Sequence, residues 1–301
     1  MQTVESYLAL RRSLGFRLRD VGIMLRGFAG FSSRKKKDYV CASIATAWAA
    51  QASSNYQRAR RLGVVTRFAR FVHLEDERNE IPQPGVFGSE ARRRPVPYIL
   101  SPDDIRRLVD AASQMGRRIP LRRRTYSTLF ALMACTGLRV SEAIGLRIQD
   151  LTSDGLIIRA TKFRKSRLVP LHQSARAALE AYLCRRRQVA TDDDHFFISL
   201  RRRALLIEDV ATAFRTAARA IGLLPGRKCG GPTPHSLRHT FAVRALESCP
   251  DGRDRVTKHM VALSTYLGHS HVAATYWYLE ATPTLMRDIA QASEEFVTKT
   301  T

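Results

Sequence analysis

The sequence predicts a mostly α-helical protein in two domains, with one small antiparallel β-hairpin in the second. Three observations lead there. Apolar residues recur at helical spacing through most of the chain. A stretch dense in Pro, Gly and Arg interrupts that pattern between Ile81 and Tyr98. A single segment, Gly155 to Leu171, abandons it for two short apolar runs around a basic turn. At 301 residues the chain is long enough for two cores. These features place a helical N-terminal domain at 1–86, a basic linker at 87–100 and a second domain at 101–301.

In the first domain, Val4, Tyr7, Leu8, Leu10 and Leu14 trace one helix, and Val21, Ile23, Met24, Leu25 and Phe28 a second. A basic loop, Ser32 to Asp38, follows, then helices from Ala42 to Gln51 and from Ser54 to His73. The last carries Tyr56, Val64, Val65, Phe68 and Phe71 for packing, and arginines that include Arg58 and Arg61, which we expect to face phosphate. Arg92, Arg93 and Arg94 give the linker the same capacity. The second domain starts on Ser101-Pro102-Asp103-Asp104, an N-cap, a first-turn proline and two acids. An apolar helix from Thr125 to Cys135 ends at Gly137, and Ser141 is expected to cap a short helix through Leu146, leaving Arg139 at the corner. Beyond the hairpin, whose tip carries Lys162, Arg164, Lys165 and Arg167, helices are expected over Ser174 to Arg186, Glu208 to Ile221 and Thr284 to Thr298.

Charge narrows the function. Fifty Lys and Arg against 27 Asp and Glu give +23 and a pI near 10.8. Residues 1–95 hold +10 of this and the remainder +13, so a polyanion touching both domains, nucleic acid, is the expected partner. No apolar run approaches the length of a membrane span. The five cysteines are odd in number and widely spaced, with no C-x-x-C pairing, and the N-terminus lacks a signal-peptide pattern; both point to reduced thiols in the cytoplasm, where a nucleic-acid partner would place the chain at the nucleoid.

The chemistry concentrates between His235 and Tyr278. His235 and Arg238 lie three residues apart and share a helix face, His269 follows a Gly turn, and Tyr278 offers a phenol nine residues later. A guanidinium fork suits phosphate oxygens, an imidazole moves protons near neutral pH, and a phenol can attack phosphorus. His239, directly after Arg238, is expected to point elsewhere as a structural hydrogen-bonder. A zinc site drawing on His235, His239, Cys229 or Cys249 is disfavoured, because arginines, lysine and histidines already supply the positive charge.

Thr136-Gly137-Leu138-Arg139-Val140-Ser141-Glu142, Lys162 through Leu171, His235-Ser236-Leu237-Arg238-His239-Thr240, Leu267-Gly268-His269 and Tyr278 occur in the order of the tyrosine recombinase (phage integrase) family, which the chain resembles over roughly 101–290. The resemblance implies a clamp of a helical core-binding domain and a catalytic domain. It implies that Arg139 and Arg238 hold the scissile phosphate, Tyr278 is the nucleophile, and Lys162 protonates the leaving oxygen, with Lys165 as competitor. His235 would act beside the tyrosine as proton acceptor and His269 would hydrogen-bond the phosphate. Tyr276, two residues from Tyr278, points away from it on a helix and is assigned to packing.

The resemblance implies a site-specific recombinase needing no cofactor. It would cut double-stranded DNA at an inverted-repeat core, within a homo- or hetero-tetramer joined through the C-terminal helix. The short N-terminal domain and the ending Tyr278 to Pro283 point toward a mobile element. Two rivals stand beside this reading. One is a type IB topoisomerase-like enzyme that rejoins the same strand, the other a non-catalytic DNA-binding accessory subunit.

Overall fold

The computed structural model describes residues 2–16, 18–88, 96–115, 120–159, 166–189, 191–224, 231–248, 253–268, 275, 277 and 278. The chain divides into two compact units, Met1–Pro95 and Val96–Thr301. Of the sequence-predicted features, the linker arginines Arg92 to Arg94, the hairpin tip with Lys162, Arg164 and Lys165, His269 and the helix expected over 284–298 lie outside the described residues.

The first unit is four helices, α1 (Gln2–Ser13), α2 (Arg19–Arg34), α3 (Ala42–Ala50) and α4 (Asn55–His73). Its core joins Val4, Tyr7 and Leu8 to Leu25, Phe28, Trp48, Leu62, Val65 and Phe68. Ser54 caps α4 by accepting the Gln57 N–H at 3.3 Å. Two arginines expected to face phosphate are turned to the protein itself. Arg58 donates to the Ala52 carbonyl at 2.9 Å and to Asn55 Oδ1 at 3.3 Å. Arg61 lies 5.1 Å over the Trp48 ring, where a cation is attracted by the π face. Arg67 and Arg70, one turn apart on α4, are the exposed arginines of that helix.

The second unit contains α5 (Pro102–Gln114), α6 (Pro120–Thr136), α7 (Val140–Ile144), β1 (Leu151–Thr152), β2 (Gly155–Ile158), β3 (Arg167–Val169), α8 (Gln173–Arg186), α9 (Ile207–Ala220), α10 (Pro234–Glu247) and α11 (Arg253–Leu267). Helix α5 opens on a reciprocal capping box: Ser101 Oγ accepts the Asp104 N–H and Asp104 accepts the Ser101 N–H, both at 3.0 Å. Helix α6 begins five residues before the predicted start, because Arg122 to Arg124 hide its first turn from an apolar pattern. It packs against α5, α8 and α10, with Leu129, Phe130 and Met133 fully buried. Helix α7 is capped at Arg139 rather than Ser141, since Glu142 Oε2 accepts the Arg139 N–H at 3.0 Å.

The sheet is antiparallel in the order β1-β2-β3, and Ile158 pairs with Arg167 at the base of the basic tip. Both bases of that hairpin are tied down by carboxylates that are themselves buried: Arg159 pairs with Asp150, and Arg167 with Glu142. At the entrance to the unit, the Leu100 N–H donates to Thr240 Oγ1 at 2.9 Å and the Leu100 carbonyl accepts from Arg244 at 2.9 Å. The start of the unit is thereby stitched to α10, the helix that carries His235 and Arg238. Phe130 meets the Phe214 ring edge-on at 5.5 Å, so Phe130→Ala should lower unfolding stability by about 3–5 kcal/mol in chemical denaturation, with the cavity left between α6 and α9.

Candidate active site

The corner between α6 and α7 sets the site. Gly137 adopts φ +62°, and a Cβ there would come within 2.5 Å of the Phe241 ring on α10. The close approach lets Arg238, three residues along α10 from His235, reach back to the corner. Its guanidinium is 1% exposed and donates at 2.7 Å to the carbonyls of both Gly137 and Leu267. Burial, then the neighbouring Arg139, lowers its pKa to about 10, which leaves it charged at neutral pH.

Three arginines converge on one carboxylate and one helix end. Arg139 donates to Glu142 Oε1 at 2.7 Å, to the Gly268 carbonyl at 3.1 Å and to the Leu267 carbonyl at 3.5 Å. Arg167 donates to both Glu142 oxygens, at 3.1 and 2.9 Å, and to the Tyr266 carbonyl at 2.7 Å. Arg238 stands 3.9 Å from Glu142. The carbonyls of Tyr266, Leu267 and Gly268 end α11, where the helix dipole is negative, and Gly268 takes φ +65° to close the helix. Burial alone would raise the Glu142 pKa, but the Arg167 hydrogen bond, the Arg139 N–H and the two guanidinium charges outweigh it and hold it at about 2.

Arg167, expected to face DNA from the hairpin, therefore points inward; its side chain is 12% exposed. Arg139 is different. Its side chain keeps 31% exposure, against 12% for Arg167 and 1% for Arg238.

The imidazoles lie along α10. His235 and His239 are one turn apart, their rings 4.4 Å between centroids and edge to face. Tyr278, 3% exposed, brings its hydroxyl within 3.2 Å of His239 Nδ1, and Trp277 packs on the same imidazole at 4.9 Å. His239 thus turns toward the phenol and not away from it, as sequence reasoning expected. The signal was its four-residue spacing from His235, which puts both on one face, rather than its adjacency to Arg238. His235 is solvent-exposed as a residue, yet crowding of its ring by the protein, then Arg238 and Arg139, lowers its pKa to about 4. Burial, then His235 and Arg238, lowers His239 to about 3. Both are neutral at pH 7 and can accept a proton.

Of the six expected catalytic residues, Arg139, His235, Arg238 and Tyr278 are brought together here, while Lys162 and His269 lie outside the described residues, His269 directly after Gly268. For the disfavoured zinc site, Cys229 and Cys249 are likewise outside them, and His239 Nδ1 is engaged by the phenol. Among the described residues, Asp193, Asp194 and His195 have metal-ligand spacing. Their groups serve the local loop instead: Asp193 takes His195 Nδ1 at 2.6 Å and the Ala204 N–H at 3.0 Å, and Asp194 pairs with Arg147. Among the described residues no helix is long and apolar enough to cross a membrane.

A carboxylate whose pKa is depressed on folding adds stability above its unfolded value, near 4.5, and loses it as pH falls toward about 2. The stability advantage of the native chain over Glu142→Gln should therefore be full above pH 5 and vanish by about pH 2, which urea melts across that range would read. An advantage that is flat with pH would contradict the ion cluster described here.

Comparisons with known proteins identify the family. The model of the phage integrase family matches residues 99–284. A protein of Sinorhizobium fredii (strain NBRC 101917 / NGR234) named as an integrase/recombinase, y4rB, is 38% identical over 303 residues, covering 97% of this chain and 96% of that one. The tyrosine recombinase XerD of Caulobacter vibrioides is 32% identical over 268 residues, covering 83% and 80%. Among solved structures, the Tn1549 transposon integrase in complex with transposon right end DNA superposes with a TM-score of 0.67 at 17% identity, covering 98% and 99%, a likeness of fold. With the family model over more than half of its length and such relatives over nearly all of it, the chain belongs to the phage integrase family of tyrosine recombinases, the site-specific DNA recombinases.

Proposed function

We propose that this recombinase cleaves DNA through Tyr278. The observation that carries the reading is the meeting, around the start of α10, of a phenol, two neutral imidazoles and two arginines hydrogen-bonded to the end of α11. In the reaction the Tyr278 hydroxyl attacks the scissile phosphorus and a 3′-phosphotyrosyl bond forms. The phosphorus–5′-oxygen bond breaks, the phenolic proton passes to the histidine pair His235 and His239, and Lys162 protonates the leaving 5′-oxygen. Arg139 and Arg238 stabilise the charge that develops on the non-bridging oxygens, and His269 adds a hydrogen bond there. The energy of the phosphodiester is kept in the new bond, so a 5′-hydroxyl from a partner duplex can reverse the step on a different strand without ATP.

The remaining parts of the reading follow from the resemblance and the charge. The helical first unit and the linker arginines grip an inverted-repeat core in double-stranded DNA, four protomers assemble on two duplexes, and the segment 284–298 docks on a neighbouring protomer. The biological task is movement of a mobile element. Arg67 and Arg70, the exposed arginines of α4, are the residues of that helix that meet phosphate.

The test is a nicked suicide duplex carrying the chain's own crossover site. Wild type should trap a covalent protein–DNA adduct, Tyr278→Phe should give none, and Arg238→Ala should slow adduct formation by about 10²–10³ at similar DNA affinity. DNA binding without any adduct on a mapped site would end the catalytic reading, and relaxation of plasmids lacking the site would favour a topoisomerase.

A further inference from the structure

Arg167 is the member of the cluster to which the proposed chemistry gives no part. It holds both oxygens of Glu142, in the forked geometry that suits guanidinium and carboxylate. The Arg139 guanidinium has one hydrogen bond to the same carboxylate, beside the one from its backbone N–H, and its other terminal nitrogen goes to the Gly268 carbonyl. Arg238 is farther away, at 3.9 Å. If Arg167 were absent, Arg139 would be the nearest guanidinium left to Glu142. A fork between them would then have only to share Oε2 with the Arg139 N–H and draw the second nitrogen off the Gly268 carbonyl, and such a pair would be neutral and turned inward.

Charge makes the same point. Three guanidiniums and one carboxylate sum to +2 at a place where a phosphodiester brings −1. The loss of one guanidinium halves that charge and leaves Glu142 to be satisfied by the very groups that must hold the phosphate. Arg167 also packs on the turn that leads to His269, since a Cβ at Gly268 would lie 2.7 Å from its Nη1.

We propose that Arg167 is a positioning residue, which by occupying both oxygens of Glu142 keeps Arg139 singly held and turned outward toward the scissile phosphate. The proposal rests on the assignment of Arg139 to that phosphate, but its central claim concerns the DNA-free chain and can be read without cleavage. Phenylglyoxal labels accessible arginines, and peptide mass spectrometry of the full chain reports Arg139 by itself. Arg167→Gln should lower labelling of Arg139 by about tenfold, the equivalent of one charge-assisted hydrogen bond gained by Glu142. Removing the carboxylate as well, in Glu142→Gln/Arg167→Gln, restores the +2 balance and should return labelling to near the wild-type level.

The same pair read on the suicide duplex gives the functional arm. Adduct formation should fall by about a hundredfold in the single variant and recover most of that loss in the double, with DNA affinity unchanged throughout. A brace that merely holds the fold predicts the reverse, a double variant as poor as the single or poorer. Unchanged Arg139 labelling in Arg167→Gln, or a double that fails to recover it, would overturn the proposal. Should Arg167→Gln not fold in a thermal melt, Arg167→Lys replaces it. An ammonium cannot fork the carboxylate, so labelling should again fall and recover in Glu142→Gln/Arg167→Lys, with the same outcomes decisive. A chain inert on DNA in which labelling behaves as expected would sink the cleavage reading and leave this one standing.

Discussion

One buried carboxylate organises the second unit around its candidate site. Glu142 touches three arginines drawn from the α6–α7 corner, the β3 strand and α10, and it also accepts the backbone N–H that starts α7. Each guanidinium would be costly to bury alone. Together with the negative end of α11 the carboxylate makes the burial tolerable, and an excess of +2 remains, the charge that the proposed reaction sets against a phosphate. Because the ions come from separate elements, the packing of those elements and the charge of the site are one arrangement.

The phenol proposed as nucleophile shows the same economy. Tyr278 is nearly excluded from solvent and its hydroxyl rests on His239, so in the DNA-free chain the phenol is stored beside groups that can take its proton. The low pKa values of both imidazoles follow from crowding and from the arginines beside them. An incoming phosphate would offset that positive field and pull both values upward, toward the range in which a proton can be accepted and released. Substrate binding and base strength are then coupled through charge alone.

Much of this was legible in the sequence. The helices, the Ser101 cap and the β-hairpin leave local signatures in spacing and in cap residues, and the order of Arg139, His235, Arg238 and Tyr278 marked the site. The less legible parts have physical reasons. Arg122 to Arg124 masked the first turn of α6. Arg167 reads as a solvated hairpin arginine until a buried partner 25 residues upstream is known. His239 was judged by its immediate neighbour, although the residue four positions before it decides its direction. Most of all, the acceptors at Gly137, Tyr266, Leu267 and Gly268 are backbone carbonyls, which carry no residue-type signature at all.

That last feature has a consequence for how such a site can change. Substituting Tyr266 or Leu267 alters a side chain but cannot delete the oxygen that an arginine uses. What fixes those oxygens is where α11 stops and the angle at which it arrives. One residue inserted into α11 ahead of the stop would turn the helix end by about 100° and advance it about 1.5 Å, carrying all three acceptors away from their donors at once. The site therefore tolerates lettering changes in its final turn far better than changes in the length of the helix, and its specification lies in counting as much as in chemistry.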